Sequence, residues 1–176
     1  MGKARFKKLV ITCIMIIALV FNFAIVQAAS SHPGKLKTKP MGSDRTESAK
    51  QYTLDWLDKD EVQKYFGEIC DAIWSYAELG LEEYNTADLI EYVMKQYGFK
   101  VDRGVADMPT SVLATYKNGT KGPVIAIMGE FDALPMLSQE ANCHTHTPVV
   151  KGAPGHGCTH NTMATAGAAA TIAVKL

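Results

Sequence analysis

Two imidazoles and a thiol fall within five residues, His156, Cys158 and His160, in the run Gly152-Ala153-Pro154-Gly155-His156-Gly157-Cys158-Thr159-His160-Asn161. Thiolate and imidazole are the donors that Zn²⁺ and similar borderline ions select. The surrounding glycines allow a tight loop from which two donors converge. Cys158 and His160 are two apart, so in extended backbone they point to the same side and can share one ion. Catalytic zinc takes about three protein ligands and keeps a further position open. Its bound water is a nucleophile near neutral pH, and the ion polarises a carbonyl. An amide hydrolase also needs a general base, commonly glutamate, within hydrogen-bond reach of that water. The plainer alternative is a buried thiol beside core histidines, because Cys-x-His spacing alone is a weak motif.

A second group with chemical potential is Gly129-Glu130-Phe131-Asp132-Ala133-Leu134-Pro135. It follows residues 123–128, a continuous apolar run that predicts a buried central strand. Glu130 and Asp132 would then stand at the C-terminal end of that strand, where open α/β sheets bind ligands. Asp132 is suited to orient an imidazole ligand from behind. A turn carrying two solvated acids is the competing reading. Residues 138–151 form a polar stretch with Cys143, His144 and His146. They lack a Cys-x₂-Cys pair, so they give little sign of a zinc knuckle, and they read as a mobile loop near the site entrance.

The elements that must position these residues are legible from periodicity. From Leu57 onward, Val62, Phe66, Ile69, Ile73 and Tyr76 recur at helical spacing. Asp58 is the expected N-cap, with Glu61 completing a capping box, and Gly80 the expected stop. Cys70, inside this helix, reads as a small buried hydrophobe. A second helix is predicted over residues 85–97, with Leu89, Ile90, Val93, Met94 and Tyr97 as its apolar stripe and Gly98 ending it. Glu78, Glu82 and Glu83 between the two helices read as a solvated corner. Short strands are expected at residues 99–101 and 111–116. Asn118-Gly119 signals a hairpin turn into the 123–128 run, and the sequon Asn118-Gly119-Thr120 reads as part of that turn. A final Ala-rich helix is predicted from Met163, capped by Asn161 or Thr162, able to approach neighbouring backbone closely.

At 176 residues the chain has the length of about one domain. Charge is uneven: Lys3, Arg5, Lys7 and Lys8 are the only charged residues before Ser30, so the remainder is mildly acidic. Nothing there predicts a nucleic-acid partner. The four cations precede an uncharged apolar run over residues 9–26 and small residues at Ala28 and Ala29. That order predicts an export signal over residues 1–29, with an uncleaved membrane anchor as the rival. Either places the body outside the cytoplasm and limits membrane contact to this segment. Residues 30–52 read as a linker. Beyond the export segment, Cys70, Cys143 and Cys158 form an odd set, a poor basis for a disulfide framework.

Read together, the run over 129–135, then Leu137-Ser138-Gln139, then the run over 152–161 resemble the metal-dependent amidohydrolase/aminoacylase family of metallopeptidases (zinc carboxypeptidase-like). The similarity is greatest to its aminobenzoyl-glutamate hydrolase branch. Trp74-Ser75-Tyr76-Ala77-Glu78-Leu79-Gly80, Glu82-Glu83-Tyr84 and Gly104-Val105-Ala106-Asp107-Met108-Pro109-Thr110 are similar to it as well. The resemblance covers residues 57–176. It implies an α/β fold, the N-terminal portion of a zinc-peptidase-like catalytic domain with helices packed on a mixed β-sheet, here over residues 53–176. It also implies hydrolysis of the amide of aminobenzoyl-glutamate-like or N-acyl amino acid substrates. A dipeptide substrate, or a non-catalytic metal-binding fragment, is the alternative. The cofactor implied is a divalent metal, Zn²⁺ or Mn²⁺, with Cys158 and His160 as ligands and Asp132 as the acid supporting the site. Glu130 stands where the wider family has a histidine ligand.

Two departures from the family pattern are visible. Thr159 stands where the family has glycine, a difficulty if that position needs positive φ. No Asp, Glu, His or Cys follows His160, whereas the family continues into a Glu-Glu pair, further histidines and a dimerisation domain. The chain is therefore expected to be truncated, to lack a complete site by itself and to leave apolar surface exposed. The full-length form is expected to be a homo-oligomer acting on a small amide.

Overall fold

The computed structural model describes residues 47–120 and 122–176. The expected export segment and the linker as far as residue 46 lie outside them. Helix α1 covers Glu47–Leu57, so the last residues of the expected linker are helical. Trp56 explains why: it is buried and packs edge-on against Phe66 and Tyr97, with ring centroids 6.1 and 6.4 Å away. One anchored indole draws the preceding turns onto the core.

Helix α2 covers Asp60–Tyr76 and buries Val62, Tyr65, Phe66, Ile69 and Ile73. Its cap is Lys59, not Asp58, and no side chain bonds the first turn. The Asp58 amide is used to close α1 on the Leu54 carbonyl, and the Lys59 carbonyl accepts from Val62 and Gln63. Asp60 and Glu61 instead favour the helix N-terminus through the dipole. The helix ends at Ala77, in left-handed backbone at φ 45°, three residues before Gly80.

Helix α3 covers Tyr84–Gln96 and is followed by Gly98 at φ 77°. Its predicted stripe is buried in full. In the acid corner that precedes it Glu82 is exposed as expected, whereas Glu78 and Glu83 are engaged. The Glu78 carboxylate accepts from the amides of Asn85 and Thr86 and from both their side chains, at 2.7–2.9 Å. It therefore caps α3 across the turn, satisfying amides that helix formation leaves open. Glu83 is buried and accepts from the Thr110 hydroxyl.

Strands β1 (Lys100–Arg103) and β2 (Val112–Thr115) pair antiparallel, Lys100 opposite Thr115 and Arg103 opposite Val112. Their connection contains left-handed Gly104, Ala106 and Asp107. Arg103 reaches Asp88 and Glu91 on α3 at 2.9 and 2.8 Å, tying the hairpin to that helix. Among the described residues this two-stranded ribbon is the whole sheet. Helices with a small sheet are compatible with the α/β class, but the larger mixed sheet is not present among those residues.

The expected central strand is the main correction. Among the described residues, 123–128 pair with nothing and 123–132 make no backbone–backbone hydrogen bond. Val124 is 97 % exposed and Met128 92 % exposed. A strand exists only through its ladder partners, and among the described residues none lies alongside this run. Asn118-Gly119 is consequently not a hairpin turn; the hairpin loop is the one over residues 104–111. The apolar exposure expected from the sequence is greatest at Val124 and Met128 here, with further exposed apolar residues spread from Leu54 to Val174.

Helix α4 covers His160–Lys175, beginning before the expected caps at Asn161 and Thr162. Its buried residues, chiefly Ala164, Ala168, Ala169, Ile172 and Ala173, join the core of α1, α2 and α3. At its N-terminus the Asn161 amide donates to the Cys70 thiol at 3.2 Å. Among the described residues the cysteines are free, and no helix is long and apolar enough to cross a membrane.

Candidate functional site

Two loops meet in front of the α4 N-terminus. The first is fixed immediately after Asp132. The Ala133 amide donates to the Glu78 carbonyl at 2.7 Å, and Leu134 and Gly155 exchange two backbone hydrogen bonds at 3.0 Å. Ser138 donates from its amide to Ala153, again at 3.0 Å. Such close pairing requires glycine at position 155, where a Cβ would run into the Leu137 carbonyl. The glycines of this stretch therefore serve loop-on-loop contact as well as turning.

The second loop is held by His156. Its Nε2 lies 3.1 Å from the Ile73 carbonyl on α2, and the ring is half-buried. Burial pushes this imidazole below its ordinary pKa, and the Ile73 carbonyl partly opposes that shift. A neutral ring donating to Ile73 fits both observations. His156 thus anchors the loop to the helical core, consistent with a place in loop structure.

His160 is brought between two carboxylates. Its Nδ1 lies 2.8 Å from Asp132 Oδ1 and its Nε2 lies 2.9 Å from Glu130 Oε2. The imidazole is 12 % exposed, Asp132 32 % and Glu130 64 %. The ring is therefore enclosed on the Asp132 side and open on the Glu130 side. Asp132 is in position to fix the ring's orientation and tautomer, as a carboxylate behind a ligating histidine does.

Cys158 is not placed as extended backbone would place it. Thr159 takes left-handed backbone at φ 63°, ψ 26°, and His160 begins the helix. The same-side argument for residues two apart fails, because it holds only for a strand. The Cys158 thiol is exposed and makes no hydrogen bond among the described residues. Thr159 also carries strain: a β-branched residue is poorly accommodated at positive φ. Its hydroxyl donates to the Cys158 carbonyl at 2.6 Å. The glycine-for-threonine concern raised by the sequence is thus a real backbone requirement.

Among the described residues, no three His, Cys, Asp or Glu side chains converge closely enough to hold an ion. What is assembled is a donor pair, His160 and Glu130, with Asp132 behind the ring and Cys158 unengaged nearby in sequence. That set suits a divalent cation by type, imidazole with carboxylate and thiolate.

The loop over residues 138–151 is internally bonded rather than loose. Gln139 donates to the Thr145 carbonyl at 2.8 Å and accepts from the Thr147 amide at 2.9 Å. Cys143 lies 3.4 Å from the Thr145 hydroxyl and 3.2 Å from that of Thr147. The Thr145 hydroxyl, then that of Thr147, hold its thiol below the ordinary pKa. Sequence reasoning missed the contact of Glu130 with His160. Its only signal was a carboxylate two residues before Asp132.

No family model matches the chain. It is 43 % identical over 110 residues to a subunit of the p-aminobenzoyl-glutamate hydrolase of Escherichia coli (strain K12). The match takes in 62 % of this chain and 22 % of that protein. The chain thus spans under a quarter of the length of the curated relative it matches.

Proposed function

We propose that this chain is the N-terminal portion of a metal-dependent amidohydrolase. The substrate would be aminobenzoyl-glutamate or a related N-acyl amino acid. The observation that carries the reading is His160 held by Asp132 at the start of α4, within a chain 43 % identical to an aminobenzoyl-glutamate hydrolase subunit over 110 residues. His160 and Cys158 are the residues that would hold Zn²⁺ or Mn²⁺. When bound, such an ion supplies a water acidic enough to attack a carbonyl and polarises that carbonyl. The chain's own residues do the positioning. Asp132 accepts from His160 Nδ1 and so presents Nε2, while Gly155 and His156 hold the two loops in register. The relative's name makes it one subunit of its enzyme, which supports assembly with another chain, identical or different. Export through residues 1–29 belongs to the same proposal.

The test is metal content and hydrolysis in a version carrying the rest of the enzyme. His160→Ala and Cys158→Ser should each remove bound metal on elemental analysis, together with release of p-aminobenzoate and glutamate. Unchanged metal content in both variants would refute the ligand assignment. One observation favours a second reading, a non-catalytic metal-binding segment: no third donor converges on His160 among the described residues. Metal uptake without hydrolysis in the longer version would decide for it.

A further inference from the structure

We infer that Asn118 is a self-modification site, at which the chain converts asparagine to isoaspartate and aspartate through a cyclic imide. The inference stands apart from the metal-dependent reading. The Gly119 nitrogen bonds to Asn118 Cγ, the Cγ–Nδ2 bond breaks, and the Gly119 amide proton leaves with the departing ammonia. One water then opens the five-membered ring. Opening at the main-chain carbonyl gives isoaspartate, and opening at the former side-chain carbonyl gives aspartate. Water is the only co-reactant, and nothing is oxidised or reduced. The step needs a following amide that is free, little bulk on the following residue, and an asparagine side chain that nothing else holds.

The structure separates the asparagines by these conditions. At Asn85 the side-chain amide donates to Glu78 at 2.7 Å, and the following amide, that of Thr86, donates to the same carboxylate at 2.9 Å. At Asn161 the side-chain amide donates to the Cys70 thiol at 3.2 Å, and the Thr162 amide donates to the Thr159 carbonyl at 2.9 Å. Asn142 lies in the internally bonded 138–151 loop and is followed by Cys143, whose Cβ crowds the approach. Asn118 is followed by glycine. Among the described residues, neither its side chain nor the Gly119 amide makes a hydrogen bond. Residues 116–120 are exposed and belong to no helix or strand. Gly119 has φ 75°, with open space where a Cβ would stand. Glycine passes between backbone regions at little cost, so this peptide can turn its nitrogen onto the side chain. The product carries a new carboxylate between Lys117 and Lys121 and, as isoaspartate, one more methylene in the main chain. Both changes fall just before residues 123–128, so the helical core need not move.

The full chain is aged in mildly alkaline buffer, once folded and once in urea. Its peptides are mapped by mass spectrometry, with an isoaspartyl methyltransferase as the probe for isoaspartate. In the folded chain Asn118 should convert to both products while Asn85, Asn142 and Asn161 remain asparagine. Its rate in urea should lie within about fivefold of the folded rate, because no cooperative structure holds this loop. Gly119→Ala should slow conversion about tenfold, since a Cβ resists the backbone turn that closes the ring, with circular dichroism like the parent's. Slower conversion at Asn118 than at Asn85 or Asn161 in the folded chain would overturn the inference. So would protection by folding beyond that fivefold margin, which would mean that the loop is held. Aspartate without isoaspartate would also sink it, because direct hydrolysis bypasses the ring, as would an unchanged rate in Gly119→Ala.

Discussion

The helical body and the loop segment that carries the site are built by different means. In α1, α2, α3 and α4, burial fixes every element: Ile69, Ile73, Val93 and Ile172 are fully enclosed. Between residues 117 and 159 almost nothing apolar is enclosed beyond Ala133. Position is set there by a few point contacts: Ala133 on Glu78, Leu134 on Gly155, His156 on Ile73, Asp132 on His160. Hydrophobic burial tolerates small shifts of backbone, whereas a hydrogen bond between two loops fixes them to a fraction of an ångström. The site residues are thus located by directional contacts anchored on a body held by area.

Four perturbations break or sharpen that contrast. Ile69→Ala removes a fully buried side chain and should cost about 3–4 kcal/mol in urea unfolding. Val124→Ala, at a position 97 % exposed, should stay within about 0.5 kcal/mol. Comparable losses at both positions would erase the distinction. Next in size, Gly155→Ala forces the Leu137 carbonyl away and should cost about 1–3 kcal/mol. It should also lower metal affinity by calorimetry, since it separates the loops carrying Asp132 and Cys158. Gly157→Ala meets only the side chain of Leu137 and should be milder; the reverse order would show that the close approach is not what holds the loops.

Thr159→Gly acts in the opposite direction. Relieving a left-handed β-branched residue should stabilise the chain by about 1 kcal/mol, with tighter metal binding on titration. No gain in either would mean that the hydroxyl bond to Cys158 compensates for the backbone. The smallest effect concerns Cys143. Hydroxyl donors stabilise its thiolate, so its iodoacetamide alkylation should show a pH midpoint below that of an ordinary thiol. Thr147→Val should move that midpoint upward in peptide mapping. An unmoved midpoint would show that the loop does not hold the thiol in place.

Helices α2 and α3 were legible because their apolar residues repeat at 3.6-residue spacing, and every residue of the α3 stripe is buried. Their ends were less so. Asp58 has the right chemistry for a cap, but its amide belongs to the preceding helix. Glu78 gave no local sign of capping, because its partners lie seven and eight residues ahead. The pairing of Asp132 with His160 spans 28 residues and has no periodicity to betray it. The run over residues 123–128 misled, since composition reports what could be buried and not what is available to bury it.

The sequence by itself determined where the candidate donors stand, Glu130, Asp132, Cys158 and His160, and which helical faces would make the core. Residue type sets donor chemistry, and periodicity sets a face. Only the tertiary structure decided that Thr159 lies at positive φ, that Glu130 and Asp132 flank the two nitrogens of one imidazole, and that the central run stands unpaired. Each of these depends on what lies across space from a residue, which spacing along the chain does not encode.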